Sequence, residues 1–228
     1  MFITINRRTI IAILICVLIV GGVCGTYFGV KASAMPKPQH TIVIDAGHGG
    51  IDGGAVGKVT GVDESHINLE YAQTLKALCE NFGIGVTMTR SDMNGLYDVT
   101  ASNKKRSDME RRRQIIESSN ADLVVSIHMN SYPLPSAHGA QVFYAQGAES
   151  GKRLADLVQT EIVRAIPSAR KTSSVGDYYM LNCTEKPSII VECGFLSNPE
   201  EEKMLVSEEY RTTLCYSILS GILQYYDM

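Results

Sequence analysis

Short β-branched runs alternate along this chain with longer stretches whose apolar residues recur every three or four positions, and each run stops at a polar or glycine-rich segment. Residues 41–45 (Thr-Ile-Val-Ile-Asp), 84–89, 123–128, 140–145 and 188–192 are short and apolar, the pattern of buried strands. Between them, residues 65–82 place Ile67, Tyr71, Leu75, Leu78 and Phe82 on one helical face, with Gly83 as a stop and Asp63, Glu64 and Ser65 crowding the start. Residues 107–119, 149–165 and 207–226 read as further helices. Strands that are apolar on both faces need cover on both sides, so the alternation predicts an α/β sheet with helices on each face.

The amino terminus follows another rule. Arg7 and Arg8 precede an uncharged apolar run over residues 9–30, followed by Lys31 and Ala32-Ser33-Ala34. That pattern fits a cleaved signal peptide, and the run is equally long enough for a signal-anchor crossing the membrane. Residues 1–34 are therefore expected to be a signal peptide or signal-anchor, 35–39 (Met-Pro-Lys-Pro-Gln) a stiff linker, and 40–228 the folded domain, exported and either secreted or membrane-anchored. Cys24 lacks the large apolar residue that lipoprotein sites carry three positions upstream. Without the first 34 residues the chain has 18 basic and 24 acidic residues, net −6, which argues against nucleic acid as a partner. No Cys-x-x-Cys pair occurs, so a cysteine zinc site is not expected; Cys79, Cys193 and Cys215 lie in apolar patterns and read as core residues. Residues 104–113 hold six basic and two acidic residues, read first as a solvated helix face and second as a positive surface for an anionic polymer or partner.

Chemistry-bearing residues gather where strands end. His48 follows the first strand, His128 ends the third and Glu192 ends the fifth. If these strands run parallel, the three meet at the sheet's carboxyl edge, where α/β folds hold ligands, and Glu64 can reach the same edge from the start of its helix. Two histidines and a carboxylate suit Zn²⁺ with a fourth position open to water, and a further carboxylate, Glu192, suits the proton transfers of hydrolysis. Asp45 and Asn130 are expected to orient the ligands or the substrate. Each residue taken singly has a plainer role: a hydrogen-bonded histidine, a helix-dipole acid, a glycine loop that merely turns the chain. Another exported zinc hydrolase, or a binding module with weak catalysis, also fits the residues.

Five ordered blocks narrow the choice: Ile-Asp-Ala-Gly-His-Gly-Gly (44–50), Gly-Val-Asp-Glu-Ser-His-Ile-Asn-Leu (61–69), Thr-Arg (89–90), Ala-Asp-Leu-Val-Val-Ser-Ile-His-Met-Asn (121–130) and Ile-Val-Glu-Cys-Gly-Phe-Leu-Ser-Asn (190–198). Over roughly residues 40–226 the chain resembles the zinc-dependent N-acetylmuramoyl-L-alanine amidases of the Amidase_3 type. The resemblance implies a mixed, mostly parallel sheet flanked by helices on both faces. It implies one Zn²⁺ held by His48, Glu64 and His128, with Glu192 catalytic, acting on the amide between N-acetylmuramic acid and L-alanine in peptidoglycan. A membrane segment followed directly by one catalytic domain resembles the sporulation and germination members, which strip peptide from spore-cortex glycan on the way to muramic-δ-lactam. That implies action between the forespore membranes of a spore former and control by an accessory activator protein. The chain departs from the family at Met180-Leu-Asn-Cys183, where relatives place a basic residue in the position of Asn182.

Overall fold

The five apolar runs become strands of one sheet, joined by a sixth, two-residue strand. The computed structural model describes residues 38–228 together with Ile15 and Cys16. The order is β1 (Thr41–Ala46), α1 (Glu64–Asn81), β2 (Gly85–Met88), α2 (Lys104–Ser118), β3 (Leu123–Asn130), β4 (Gln141–Tyr144), α3 (Glu149–Ala165), β5 (Ser174–Val175), α4 (Tyr179–Asn182), β6 (Ser188–Phe195), α5 (Pro199–Leu205) and α6 (Glu208–Tyr225). The expected membrane segment, 9–30, lies outside the described residues but for Ile15 and Cys16; among the described residues no helix is long and apolar enough to cross a membrane.

The strand order is β2-β1-β3-β6-β4-β5. β2, β1, β3 and β6 are parallel neighbours, and β4 runs antiparallel to β6 with β5 parallel to β4. The sheet is thus mixed and mostly parallel, with helices on both faces. Because successive side chains on a strand point to opposite faces, each central strand feeds two layers. Ile42, Ile44, Leu123, Val125, Ile127, Ile189, Val191 and Cys193 enter the larger core, beneath α1, α3 and α6. Val43, Val124 and Ile190 enter a smaller one with Ile116 of α2 and Met180 and Leu181 of α4. On that second face the next residues along each strand are polar: Asp45, Ser126, His128 and Glu192.

Several boundaries differ from the sequence expectation. α2 begins at Lys104 rather than 107, because the Asn103 side chain accepts a hydrogen bond from the Arg106 backbone N–H and caps a turn with no apolar pattern. The basic run 104–113 is not uniformly solvated, since Arg112 within it is buried. β5, α4 and α5 are too short to carry a period; only α5 had a local signal, Asn198 as a cap ahead of Pro199. Cys79, Cys193 and Cys215 are buried free thiols, as expected of core residues.

Gly221 brings α6 against α3. A Cβ there would lie 2.6 Å from the Val158 Cα and 2.7 Å from its backbone nitrogen, with no flexible side chain to yield. Gly221→Ala must push the two helices apart. Overpacking of this kind costs about 1–3 kcal/mol, so the melting temperature should fall by roughly 2–12 °C for a domain of this size, as read by a thermal circular-dichroism melt.

Candidate metal centre

Register brings the site together. Asp45 pairs with Ser126 across β1 and β3, and His128 pairs with Glu192 across β3 and β6. Parallel partners in register project to the same face, so His128 and Glu192 stand side by side at the carboxyl edge. His48 arrives from the loop after β1, whose first residue still joins the sheet through Gly47 N–H donating to the Ile127 carbonyl, 3.1 Å. Glu64 opens α1 and turns back towards the sheet. Gly47 sits flat on the His128 ring; a Cβ there would be 2.3 Å from its Nε2, so no larger residue fits.

The three expected ligands do converge. One donor atom from each of His48, Glu64 and His128 lies within 4.8 Å of the others. Glu64 Oε1 is 2.9 Å from His128 Nδ1 and 3.3 Å from His48 Nε2, while Glu64 Oε2 accepts from the Ala55 N–H at 2.9 Å. On its far side His48 Nδ1 meets Asp52 Oδ2 at 3.0 Å, which favours the tautomer with Nε2 free towards the centre. The two rings meet edge-on, centroids 5.0 Å apart. Two nitrogens and one carboxylate oxygen, with His48 and Glu64 oriented from behind, fit a zinc ion with an open position.

Charge favours a cation here as well. Burial opposes protonation of His48, yet Glu64 and Asp52 hold its pKa up at about 8. Burial likewise opposes ionisation of Glu64, and the two histidines drive its pKa far below the usual carboxylate range. Glu192 is different. Burial pushes its pKa up to about 7, with the charge of Glu64 adding and the histidines opposing. Among the described residues its Oε2 is buried with no hydrogen-bond partner. A buried acceptor left free costs energy unless something else uses it. It lines a cavity of about 580 Å³ shared with His48, Glu64 and His128, whose other walls include Tyr97, Lys104, Met109, Asn130, Tyr178 and Tyr179.

Asp45 does not touch a ligand. Its carboxylate accepts from Thr89 Oγ1 (2.7 Å), Ser126 Oγ (2.6 Å) and Arg112 Nη1 (2.6 Å). Arg112 in turn binds Asp108 (2.6 Å), the Ala46 carbonyl (2.7 Å) and the His48 carbonyl. Asp45 therefore acts on His48 through Arg112. This matters because His48 has φ of 60°, the left-handed region, which a non-glycine residue holds only when its surroundings insist. Burial pushes the Asp45 pKa up, but Arg112 and the two hydroxyls prevail and hold it at about 2. The resulting roughly 2 kcal/mol of stability is present above the ordinary value near 3.8 and is lost as pH falls towards 2. Asn130 lines the cavity. Asn182 instead turns back on its own helix, donating to the Tyr178 carbonyl at 3.0 Å.

Some participants escaped the sequence reading. Asp52 stands one turn's spacing after His48 in a glycine loop with no periodicity. Arg112 was hidden in a basic run. Arg90 stands in the sequence only as the second residue of a short Thr-Arg motif. Asn68 had a readable signal: it lies four residues after Glu64, on the same helix face, and donates to Glu64 Oε1 at 3.1 Å.

Comparison with known proteins points to one family. The chain matches the Amidase_3 family, described as N-acetylmuramoyl-L-alanine amidase, over residues 42–224. It is 34% identical over 200 residues to the germination-specific N-acetylmuramoyl-L-alanine amidase of Bacillus subtilis, covering 86% of this chain and 84% of that one. It is 30% identical over 235 residues to the amidase AmiA of Escherichia coli, covering 82% and 76%. Among solved structures it is similar to the CwlD amidase of Clostridioides difficile in complex with the GerS lipoprotein, with a TM-score of 0.79, 36% identity and coverage of 83% and 99%. The catalytic domain of CwlV from Bacillus (Paenibacillus) polymyxa follows with a TM-score of 0.74, 28% identity and the same coverage. Sequence blocks, sheet topology and the convergent His-Glu-His set lead to one assignment: the chain belongs to the Amidase_3 family of N-acetylmuramoyl-L-alanine amidases.

Proposed function

We propose that the chain works as a zinc-dependent peptidoglycan amidase in which His48, Glu64 and His128 hold the metal and Glu192 carries the proton. The amidase class itself follows from the family, which acts on the amide joining N-acetylmuramic acid to L-alanine. One observation above all supports the division of labour: a buried carboxylate oxygen, Glu192 Oε2, is left without a partner beside three converging donor atoms.

Zinc bound by the three side chains would acidify a water and polarise the amide carbonyl. The protein's own part is positional and protonic. Glu192 takes the proton of the attacking water at Oε2 and returns it to the departing alanine amine. The absence of competing partners keeps that oxygen available for both transfers. Asp52 holds His48 by Nδ1 and leaves Nε2 free to bind a metal, and the Ala55 N–H keeps Glu64 from rotating away. Tyr178 and Tyr179, partly exposed on the cavity wall, offer faces for sugar, and Asn130 a polar contact for substrate.

The setting of the reaction is also proposed. Residues 1–34 export the chain as a signal peptide or signal-anchor, residues 35–39 link, and 40–228 form the catalytic domain, which acts outside the cytoplasmic membrane. Similarity to a germination-specific amidase and to CwlD supports a substrate in spore-cortex peptidoglycan. The solved complex of CwlD with a lipoprotein supports an accessory partner of comparable kind.

Digestion of purified peptidoglycan should release new L-alanine amino termini together with peptide-free glycan. Glu192→Gln should lower the rate by about 10²–10⁴-fold while zinc content stays at the wild-type level; an equally active variant would refute the proton role. A base must be ionised, so the wild-type rate should fall as pH drops through the Glu192 pKa, at or below about 7 because a nearby dication favours the carboxylate. His128→Ala should lose zinc as well as activity. Chelation should abolish hydrolysis and added Zn²⁺ restore it; hydrolysis unaffected by thorough chelation would refute the metal assignment.

A further inference from the structure

His48 and Glu64 are separated by an irregular loop between the end of β1 and the start of α1, with two isolated bridges, Gly49 with Asp52 and Val56 with Asp63. Such a loop does not by itself hold two ligands at a fixed distance. Arg90, buried just after β2, spans the gap. Its Nε donates to the Ala46 carbonyl (2.9 Å), its Nη2 to the carbonyls of Gly47 (2.9 Å) and Ser65 (2.7 Å), and its Nη1 to that of Asp92 (2.8 Å). Among the described residues no carboxylate forms a salt bridge with it. This cation is spent wholly on backbone oxygens, and two of them belong to the residues adjoining His48 and Glu64.

Asn68 completes the arrangement from the other side. Its Nδ2 donates to the Gly47 carbonyl and to Glu64 Oε1, both at 3.1 Å. The Gly47 carbonyl thus receives Arg90 and Asn68 together, and Gly47 itself lies against the His128 ring. All three candidate ligands meet this one peptide: His48 as its chain neighbour, Glu64 through Asn68, His128 by contact. We propose that Arg90 and Asn68 are positioning residues that set the separation of His48 from Glu64, and with it the metal affinity, by gripping the Gly47 carbonyl between them.

The chemistry of each residue suits the task. A guanidinium is planar and offers five donors in a rigid fork, so it reaches carbonyls on two segments at once, whereas an ammonium serves a single point. Irregular buried backbone needs donors from somewhere, and here they come from a group that also fixes a distance. Zinc tolerates ligand errors of only about 0.2 Å, so a small relaxation of the loop is felt at the metal before it is felt by the sheet.

The inference rests on the metal reading, and the test separates the two. The full chain, Arg90→Lys, Asn68→Ala and the double variant are stripped of metal, and their Zn²⁺ affinity is measured by competition with a chromogenic chelator, with apo melting temperatures alongside. Lys186→Met serves as control: Lys186 Nζ also binds only backbone carbonyls, of Ala121 (2.8 Å) and Ser119 (3.4 Å), but at the amino ends of β3 and β6, away from the centre. Arg90→Lys and Asn68→Ala should each weaken zinc by about 10–100-fold. The double variant should lose less than the product, since both act on one carbonyl. Lys186→Met should keep wild-type affinity even where its melting temperature falls as far. Unchanged affinity in both site variants overturns the proposal, as does an equal loss in the control, which would mean general loosening. If Arg90→Lys fails to fold, Asn68→Ala decides alone. A wild-type chain that takes up no zinc overturns the metal reading itself, and this inference with it.

Discussion

Everything in the site depends on the in-register parallel pairing of β1, β3 and β6. A strand has only two faces, and a slip of one residue would exchange them along its whole length. Here one face of each strand is apolar throughout, and that face alone is enough to pin the register. The other face carries one buried apolar residue in each strand, Val43, Val124 and Ile190, and polar residues beyond it towards the carboxyl end. The hydrophobic term therefore aligns the polar ends of the strands at no cost to itself, and Asp45, Ser126, His128 and Glu192 fall into adjacent places. The core positions the chemistry by being indifferent to it.

The loops around this edge lack the ladder that organises the strands, and buried charge does the work instead. Arg112 sits between two carboxylates, of Asp45 and Asp108, and two carbonyls, of Ala46 and His48. An ion pair so deeply placed gains little net energy over apolar packing, but removing one member is expensive. Its value lies in specificity: it holds the peptide of His48 in a conformation that the residue would not choose. At the other end of the same loop, Glu202 of α5 accepts from Val59 and Thr60 backbone nitrogens, both at 2.7 Å. The glycine-rich stretch is thus tied down by side chains from elements that lie far away in sequence.

That distance explains what could be read from sequence and what could not. Strand runs and long helices are local patterns, so β1, β3, β6, α1, α3 and α6 were legible to within a residue or three. The histidines and acids were legible as residue types at strand ends, and their identity as one set came from the family blocks rather than from spacing. What stayed hidden were contacts made across the fold by residues whose own surroundings look ordinary. Arg112 reads as one more surface cation until the helix around it is placed. Arg90 follows a strand like many arginines do. Asp52 is an acid in a flexible-looking loop. None has a periodicity, because each answers to a partner 40 or more positions away or to an irregular turn.

The close approach of α6 to α3 at Gly221 has a bearing on how the enzyme comes into being. The last helix contributes Leu214, Cys215, Ile218, Leu219 and Ile222 to the larger core. Without α6 that core lacks one wall until the helix docks. The strands that align the two histidines gain their full grip only then. The geometry of the carboxyl edge is in this sense set from the opposite face of the sheet, by a helix that contributes no residue to the cavity.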